Sequence, residues 1–399
     1  MKGIKESFPI FSRYPDLVYL DSAATSQKPY AVVDRLASFY SFENASVHRS
    51  FYQLAEQATQ NYEYVRTQAA EFFGARESSE IVFTSGATAG CNAVAFGWLQ
   101  HVLRPGDEIV ISALEHHSTF LPMVEVARAC GALVRFMPLD TEGQLLLEIA
   151  EAAITSKTRL VVCSAGSNVV GVATPLEFIV QKARSVGAAV FVDAAQVAPR
   201  RRLQVAAMGI DFLVCSAHKM CGPTGLGVLY VSKKRHSECH PWVLGGSMVH
   251  EVHTDRWSPT CLPAMWEAGT PPIAQVIGFG ETLSFLQRLD FEALRAHEAA
   301  LCRVFIEELA GLPELVIVGN KDLLASQGHL VSFYINNFHA HDVAAYLAQY
   351  QICVRSGYHC AQPLHEALNI PQTVRASWYM YTSLDDVRAC AAHLRKLSQ

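Results

Sequence analysis

The sequence predicts an α/β protein: a large domain on an open, mostly parallel sheet, plus a smaller α+β domain towards the C-terminus. Three observations carry this. Compact apolar runs of strand length recur between residues 81 and 231, as expected of strands covered on both faces. Segments of helical spacing separate them, and such alternation marks a parallel open sheet. Beyond about residue 290 the pattern changes to long helices and alternating strands. With 399 residues the chain can build both units.

Taken in order, the first twenty residues scatter Lys2, Lys5, Glu6 and Arg13 among short apolar groups. They are expected to pack on the second domain without joining the large sheet. Leu54, Ala58, Tyr62, Val65, Ala69 and Phe72 recur at three- and four-residue steps, giving a helix with one apolar face that Gly74 ends. Strands are expected at Ile81–Thr84, Glu108–Ser112, Leu160–Ser164, Ala188–Val192, Phe212–Cys215 and Gly227–Val231. The last third reads as a helix at Phe291–Ala310 and a half-exposed antiparallel strand at Gly328–Asn336. A helix at His341–Tyr350, strands at Gln351–Arg355 and Arg375–Met380, and a closing helix at Leu384–Leu397 follow. The expected division is residues 20–285 for the large domain, and 1–19 with 286–399 for the small one.

Half the residues are apolar and 17% are charged, against roughly 25% charged in an average chain. A disordered protein is excluded. Lys and Arg total 32 against 37 Asp and Glu, a net charge of −5. That balance argues against binding nucleic acid phosphates or an anionic membrane surface. No apolar run reaches the ~18 residues of a spanning helix. The N-terminus has no signal-peptide pattern, so a cytoplasmic chain is expected. The 11 cysteines are odd in number and irregularly spaced, with no CxxC pair. Neither a disulfide framework nor a metal site is expected.

Ligands of open α/β sheets bind at the carboxyl ends of the strands. Polar residues follow five of the apolar runs. Ser216, Ala217, His218 and Lys219 follow one; Lys219 reads as a Schiff-base lysine or as a surface residue at a loop start. Asp193 ends another, as a partner for a protonated ring nitrogen or as a helix cap. Ser85, Gly86, Ala87 and Thr88 form an anion cradle at a helix start, or an ordinary turn. Glu115, His116 and His117 offer one stacking imidazole or structural histidines. Asn168 holds a ligand oxygen or forms a turn. Together, a lysine, a carboxylate, an anion cradle, a histidine and an asparagine are the set that pyridoxal 5′-phosphate (PLP) requires.

Those residues sit in blocks that identify a family. YLDSAAT (19–25), VHRSF (47–51), TSGATAG (84–90), EHHST (115–119), SNVVG (167–171) and VDAAQ (192–196) occur in order. SAHKMCGPTGLGVLY (216–230), EAGTP (267–271), RSGYHCAQPL (355–364) and VRAS (374–377) follow. The chain resembles the PLP-dependent cysteine desulfurases of the class V aminotransferase superfamily, most of all the cysteine desulfurase/cysteine sulfinate desulfinase (SufS-like) group. The resemblance runs nearly end to end. It implies PLP fold type I, with a mostly parallel seven-stranded sheet in the large domain.

The resemblance also implies roles. Lys219 would carry the cofactor and shuttle the substrate Cα proton. Asp193 would face the pyridine nitrogen, Gln196 the ring hydroxyl, and His116 would stack on the ring. Ala87, Thr88, Ser216 and His218 would hold the phosphate, and Thr270 would reach the phosphate of a neighbouring subunit, which implies a homodimer. Asn168, Arg375 and Arg355 would bind the substrate carboxylate; a guanidinium grips a carboxylate at two points. Cys360 would take sulfur from L-cysteine as a persulfide. It lies in a polar segment between Arg355 and His365, and a mobile loop is expected there; Cys163, Cys215 and Cys302 sit in apolar runs as inert packing groups. An acceptor protein of the SufE type would collect the sulfur. The phosphate turn departs from the family's common pair of threonines: Ala87 stands beside Thr88. The run Arg200, Arg201, Arg202 reads as a solvated turn. Other readings are a selenocysteine lyase, a sulfinate desulfinase or a racemase-like relative, and, outside enzymes, a silent binding subunit of a sulfur-transfer assembly. A nicotinamide dehydrogenase would need a GxGxxG motif after the first strand, which this sequence lacks.

Overall fold

The computed structural model describes residues 3–397. In chain order its strands are β1 (Val18–Tyr19), β2 (Ile81–Thr84), β3 (Glu108–Ser112), β4 (Leu133–Met137) and β5 (Thr158–Ser164). Then come β6 (Ala189–Asp193), β7 (Phe212–Ser216), β8 (Gly227–Val231), β9 (Val249–Val252) and β10 (Trp257–Pro259). The series ends with β11 (Leu315–Val318), β12 (Leu330–Ile335), β13 (Ile352–Cys353), β14 (Arg355–Gly357) and β15 (Thr373–Ser377).

Seven strands form one sheet in the order β2-β8-β7-β6-β5-β3-β4. Strands β7, β6, β5, β3 and β4 pair in parallel, and β8 runs antiparallel to both its neighbours. The alternation of side chains explains why these runs are apolar throughout. Val110, Val161, Val190 and Leu213 face one core, which the Gln53–Phe73 and Ile273–Gln287 helices cover. Ile109, Ile111, Val162, Phe191 and Val214 face the other, beneath the Ala87–Val94 and His117–Ala129 helices. Each face removes its own side chains from water, so no position can be polar without cost. The seventh strand, β4, is one that sequence periodicity does not reveal. It lies at the edge, where Leu133 and Phe136 are exposed and Arg135 pairs with Glu108 at 2.7 Å. At the other side of the sheet, Gly227 comes against the turn after β2; a Cβ there would lie 2.5 Å from the Gly86 carbonyl carbon.

The second sheet has the order β11-β12-β15-β14 and is antiparallel throughout. The Phe291–Glu308 and Leu384–Leu397 helices pack on one face through Leu301, Phe305, Val387 and Leu394. Strand β12 was expected to be half exposed. It is instead almost wholly buried, because the Val169–Val172 segment of the first unit covers its second face; Ser332 Oγ donates to Val169 O at 2.7 Å. The single strand expected at Gln351–Arg355 is two. Strand β13 pairs in parallel with β1, and β14 pairs with β15. Thus the N-terminal segment joins no strand of the large sheet, and binds the chain just ahead of Arg355.

The arginine run needs a correction. Arg201 and Arg202 are exposed, but Arg200 is buried. Its Nε donates to Glu298 Oε1 at 2.8 Å, Nη1 to Gln196 O at 2.9 Å and Nη2 to Trp378 O at 3.1 Å. Only Arg200 turns from water towards the Phe291–Glu308 helix, and its buried guanidinium persists there because all three nitrogens are bonded. Among the described residues no helix is long and apolar enough to cross a membrane.

Candidate active site

A cavity of about 190 Å³ opens where the carboxyl ends of β3, β5, β6 and β7 meet the second sheet. Ala87, Thr88, His116, Asn168, Asp193, Gln196, Ser216, His218, Lys219, Arg355 and Arg375 all line it. Residues spread over almost three hundred positions of sequence therefore converge as the strand-end rule requires.

Lys219 ends a short 3₁₀ turn that follows β7 directly. The carbonyl of His218, one residue before it, accepts from Ser26 N, Ser26 Oγ and Lys28 Nζ at 3.0 Å each, and from Thr25 Oγ1 at 3.2 Å. The turn cannot swing. Burial lowers the Lys219 pKa to about 8; Asp193 opposes that shift, while Arg375 and Arg355 add to it. A lysine so tuned spends part of its time as a neutral amine, the nucleophilic form.

Asp193 is the last residue of β6. Its Oδ1 accepts from Ala195 N at 2.9 Å and its Oδ2 from Thr119 Oγ1 at 3.1 Å. The carboxylate shapes its own turn and lines the cavity, but it caps no helix, since the chain after β6 runs as turns until the Val205–Met208 helix. Gln196 donates through Nε2 to Ala23 O at 2.9 Å, while its buried Oε1 has no partner. At the helix start after β2, Ala87 N donates to Ser216 Oγ at 2.9 Å, and Thr88 Oγ1 lies 2.7 Å from Ser118 Oγ. Burial, with Lys219 and Lys28 nearby, lowers the His218 pKa to about 4.

His116 caps the His117–Ala129 helix, its Nδ1 accepting from Ser118 N at 3.1 Å. Burial and Lys219 hold its pKa down to about 4. The ring is therefore neutral at pH 7, with its proton on Nε2. His117 points elsewhere: its Nε2 accepts from Gln362 N at 3.0 Å. Beneath them Glu115 accepts from Ser112 Oγ at 2.5 Å and Ser164 N at 2.6 Å, and burial pushes its pKa up to about 7.

The second sheet supplies the positive wall. Arg355 and Arg375 stand directly opposite each other on β14 and β15. Like charges at such a register repel, and Asp21 offsets this at 3.5 Å from Arg375 Nη2. Arg375 Nη1 donates to Asn168 O at 3.0 Å, whereas its buried Nε and Nη2 make no hydrogen bond. Burial lowers the Arg375 pKa to about 10. Asn168 Nδ2 donates to His359 O at 2.7 Å. Cys360 is half-buried near this wall, and Arg355 Nη2 donates to its Sγ at 3.4 Å.

Two candidates do not line this cavity: Cys360, which reaches it only through its contact with Arg355, and Thr270. Thr270 lies on a separate groove of about 580 Å³ with Val47, His48, Arg49 and Glu267. The loop carrying Cys360 also differs from expectation. It is short and held: His117 N donates to Cys360 O at 2.7 Å, and Ala361 N to Tyr358 O at 2.8 Å. Sequence reasoning assigned nothing to Asp21, Lys28, Ser118 or Thr119. Asp21 stands inside the YLDSAAT block and Ser118 and Thr119 inside EHHST, so the blocks were a signal for three of the four.

The residues present fit PLP. Asp193 suits a protonated ring nitrogen, the unpartnered Gln196 Oε1 suits a ring hydroxyl, and the hydroxyls and amides around Thr88 and Ser216 suit a phosphate. Sheet order and site together define the class: a PLP-dependent enzyme of fold type I. The family model described as aminotransferase class-V matches residues 18–390. A probable cysteine desulfurase of Halobacterium salinarum is 38% identical over 100% of this chain and 97% of its own length. A cysteine desulfurase of Enterobacter sp. is 39% identical over 100% and 98%. The apo structure of a cysteine desulfurase from Thermococcus onnurineus superposes with a TM-score of 0.94 at 36% identity, over 99% of this chain and 97% of that one. The chain belongs to the PLP-dependent cysteine desulfurases of the class V aminotransferase family.

Proposed function

We propose that the protein converts L-cysteine to L-alanine and carries the released sulfur on Cys360 as a persulfide. The observation that carries this is the 3.4 Å contact between Arg355 and Cys360 Sγ beside the cavity that holds Lys219. When bound, PLP supplies an electron sink for charge at the substrate Cα. Arg375, whose Nε has no partner and whose Nη2 has only the 3.5 Å ion pair with Asp21, binds the substrate carboxylate, and Asn168 and Arg355 flank it. Lys219 Nζ takes the Cα proton. His116, which lines the same cavity, offers a neutral N–H at Nε2. Arg355 Nη2 holds Cys360 Sγ at 3.4 Å, and the sulfur reacts as the thiolate, the nucleophilic form of any thiol. That thiolate attacks the substrate sulfur, the Cβ–S bond breaks, and its electron pair stays with the carbon skeleton, which is protonated. Cysteine plus enzyme thiol thus gives alanine plus enzyme persulfide, in balance and without an added reductant. A second thiol then removes the sulfur by exchange.

The acceptor in this reading is a SufE-type protein, and the compartment is the cytoplasm, which suits eleven free cysteines. Iron–sulfur cluster assembly is the pathway such a donor would feed. The working enzyme is a homodimer. Thr270 lies outside its own chain's cavity, and Phe42 and Phe51, which flank in sequence the groove residues Ser46, Val47, His48 and Arg49, are 80% and 93% exposed. The division into residues 20–285 and 1–19 plus 286–399 is supported by the membership of the two sheets. Residues 1–2 and 398–399, which it also includes, lie outside the described residues. Cysteine sulfinate and selenocysteine fit the same pocket, since only the leaving group differs.

The test is alanine formation from L-cysteine by the parent and by Cys360→Ser. Alanine from the parent alone is the expected result. Equal alanine from both would remove Cys360 as the carrier, and alanine from neither, despite bound PLP, would remove cysteine as the substrate.

A further inference from the structure

Behind Cys360 lies a buried polar cluster that the proposed chemistry does not use. His359, Thr373 and His365 are 2%, 0% and 1% exposed. Thr373 Oγ1 lies 2.9 Å from His359 Nε2 and 3.4 Å from His365 Nε2. His365 Nδ1 bonds the Ala361 carbonyl at 3.1 Å, which only an N–H can do. Its Nε2 is therefore an acceptor. Thr373 has one hydroxyl proton, so pairing both Nε2 atoms directs that proton to His365 and leaves Thr373 accepting from His359 Nε2–H. One hydroxyl thereby fixes the tautomer and orientation of both imidazoles. Meanwhile His359 and Cys360 both adopt left-handed backbone angles, with φ of 50° and 56°. Neither is glycine, so the turn is strained and must be held from outside. The ring of His359 is bonded by Thr373, its carbonyl by Asn168, and the carbonyl of Cys360 by His117 N.

We infer that Thr373 is a positioning residue for Cys360: through His359 and His365 it holds the left-handed turn that presents Sγ to Arg355. The inference rests on Cys360 being the sulfur carrier. It assigns a function to a threonine buried on β15, and it explains why the His359 ring is buried close to Arg375 and Arg355.

The test compares Thr373→Val, which keeps the shape and removes the hydroxyl, with Thr373→Ser, which keeps the hydroxyl. Two readouts are taken on the PLP-loaded enzyme. One is the rate of iodoacetamide labelling at Cys360, read on its own peptide by mass spectrometry. The other is the ratio of cysteine to cysteine sulfinate turnover, since only the former needs the thiol. The valine variant is expected to lower that ratio about tenfold, as loss of one or two hydrogen bonds allows, and to change the labelling rate severalfold. Serine should restore both. Parental labelling and ratio in the valine variant would overturn the inference, as would an equal loss on both substrates with unchanged labelling. Cys360→Ala serves as the control: parental cysteine turnover there would overturn the carrier reading itself, a result Thr373 cannot mimic.

Discussion

Lys219 lines the cavity and Cys360 touches its wall at Arg355, both on tight turns, and the two turns are built in contrary ways. The Lys219 turn continues a central strand of the large sheet, and donors from residues 25–28 converge on the one carbonyl before it. Its backbone needs no left-handed residue at 217–219. The Cys360 turn hangs from the short strand β14, carries two left-handed residues, and is held by the side chains of Asn168 and Thr373 and the backbone N–H of His117, from three different segments. The difference matches the tasks proposed for them. A group that must meet a cofactor in one geometry is set into the rigid sheet. A group that must meet both a substrate and an outside acceptor is set on strained backbone that external contacts restrain.

The comparison can be broken in several places. The largest effect is expected at Lys219→Ala, with turnover falling by roughly 10²–10⁴ or more and the absorbance of covalently held cofactor lost. Normal absorbance and turnover would end the proposed scheme. Next comes Cys360→Ala, expected to abolish alanine formation from cysteine while keeping much of the activity on cysteine sulfinate and selenocysteine. Equal loss on all three substrates would make the residue structural.

Arg200→Ala asks whether the two sheets share a support, because Arg200 bonds both Gln196 O, just beyond β6, and Trp378 O, just beyond β15. It also leaves Glu298 buried without its partner. A loss of about 3–5 kcal/mol in denaturant unfolding is expected; less than ~1 kcal/mol would show that water reaches the pair.

The smallest effect is a pH dependence. Lys219 is lowered to about 8 by burial, against about 10.4 when unfolded. Between those values the unfolded chain binds more protons, so this group makes apoprotein stability rise with pH across that window. The rate of PLP attachment should likewise rise as pH passes about 8. A rise only near 10 would place the lysine in water.

Much of this was legible in the sequence, for a physical reason. Strands covered on both faces must be apolar at every position, so six strands of the large sheet stand out, and their polar ends mark the cavity. Strand β4 was not legible because water wets half of it. Arg200 was misread because a run of arginines looks alike whether or not one of them turns inward. Asp21 and Lys28 belong to a segment that only pairing over hundreds of residues brings to the site. The turn at Cys360 left no trace, since neither His359 nor Cys360 is a residue type that announces left-handed backbone.

The pairing of β1 with β13 has a consequence in time. A ribosome completes every strand of the large sheet by Val231, with Lys219 already in place. Arg355, Cys360 and Arg375 emerge later, after a gap of about 7 to 30 s at about 5–20 residues per second. Throughout that interval Val18 and Tyr19 have no strand to join. The nascent chain therefore holds a cofactor cradle without its positive wall, and the site closes only when the beginning and the end of the polypeptide meet.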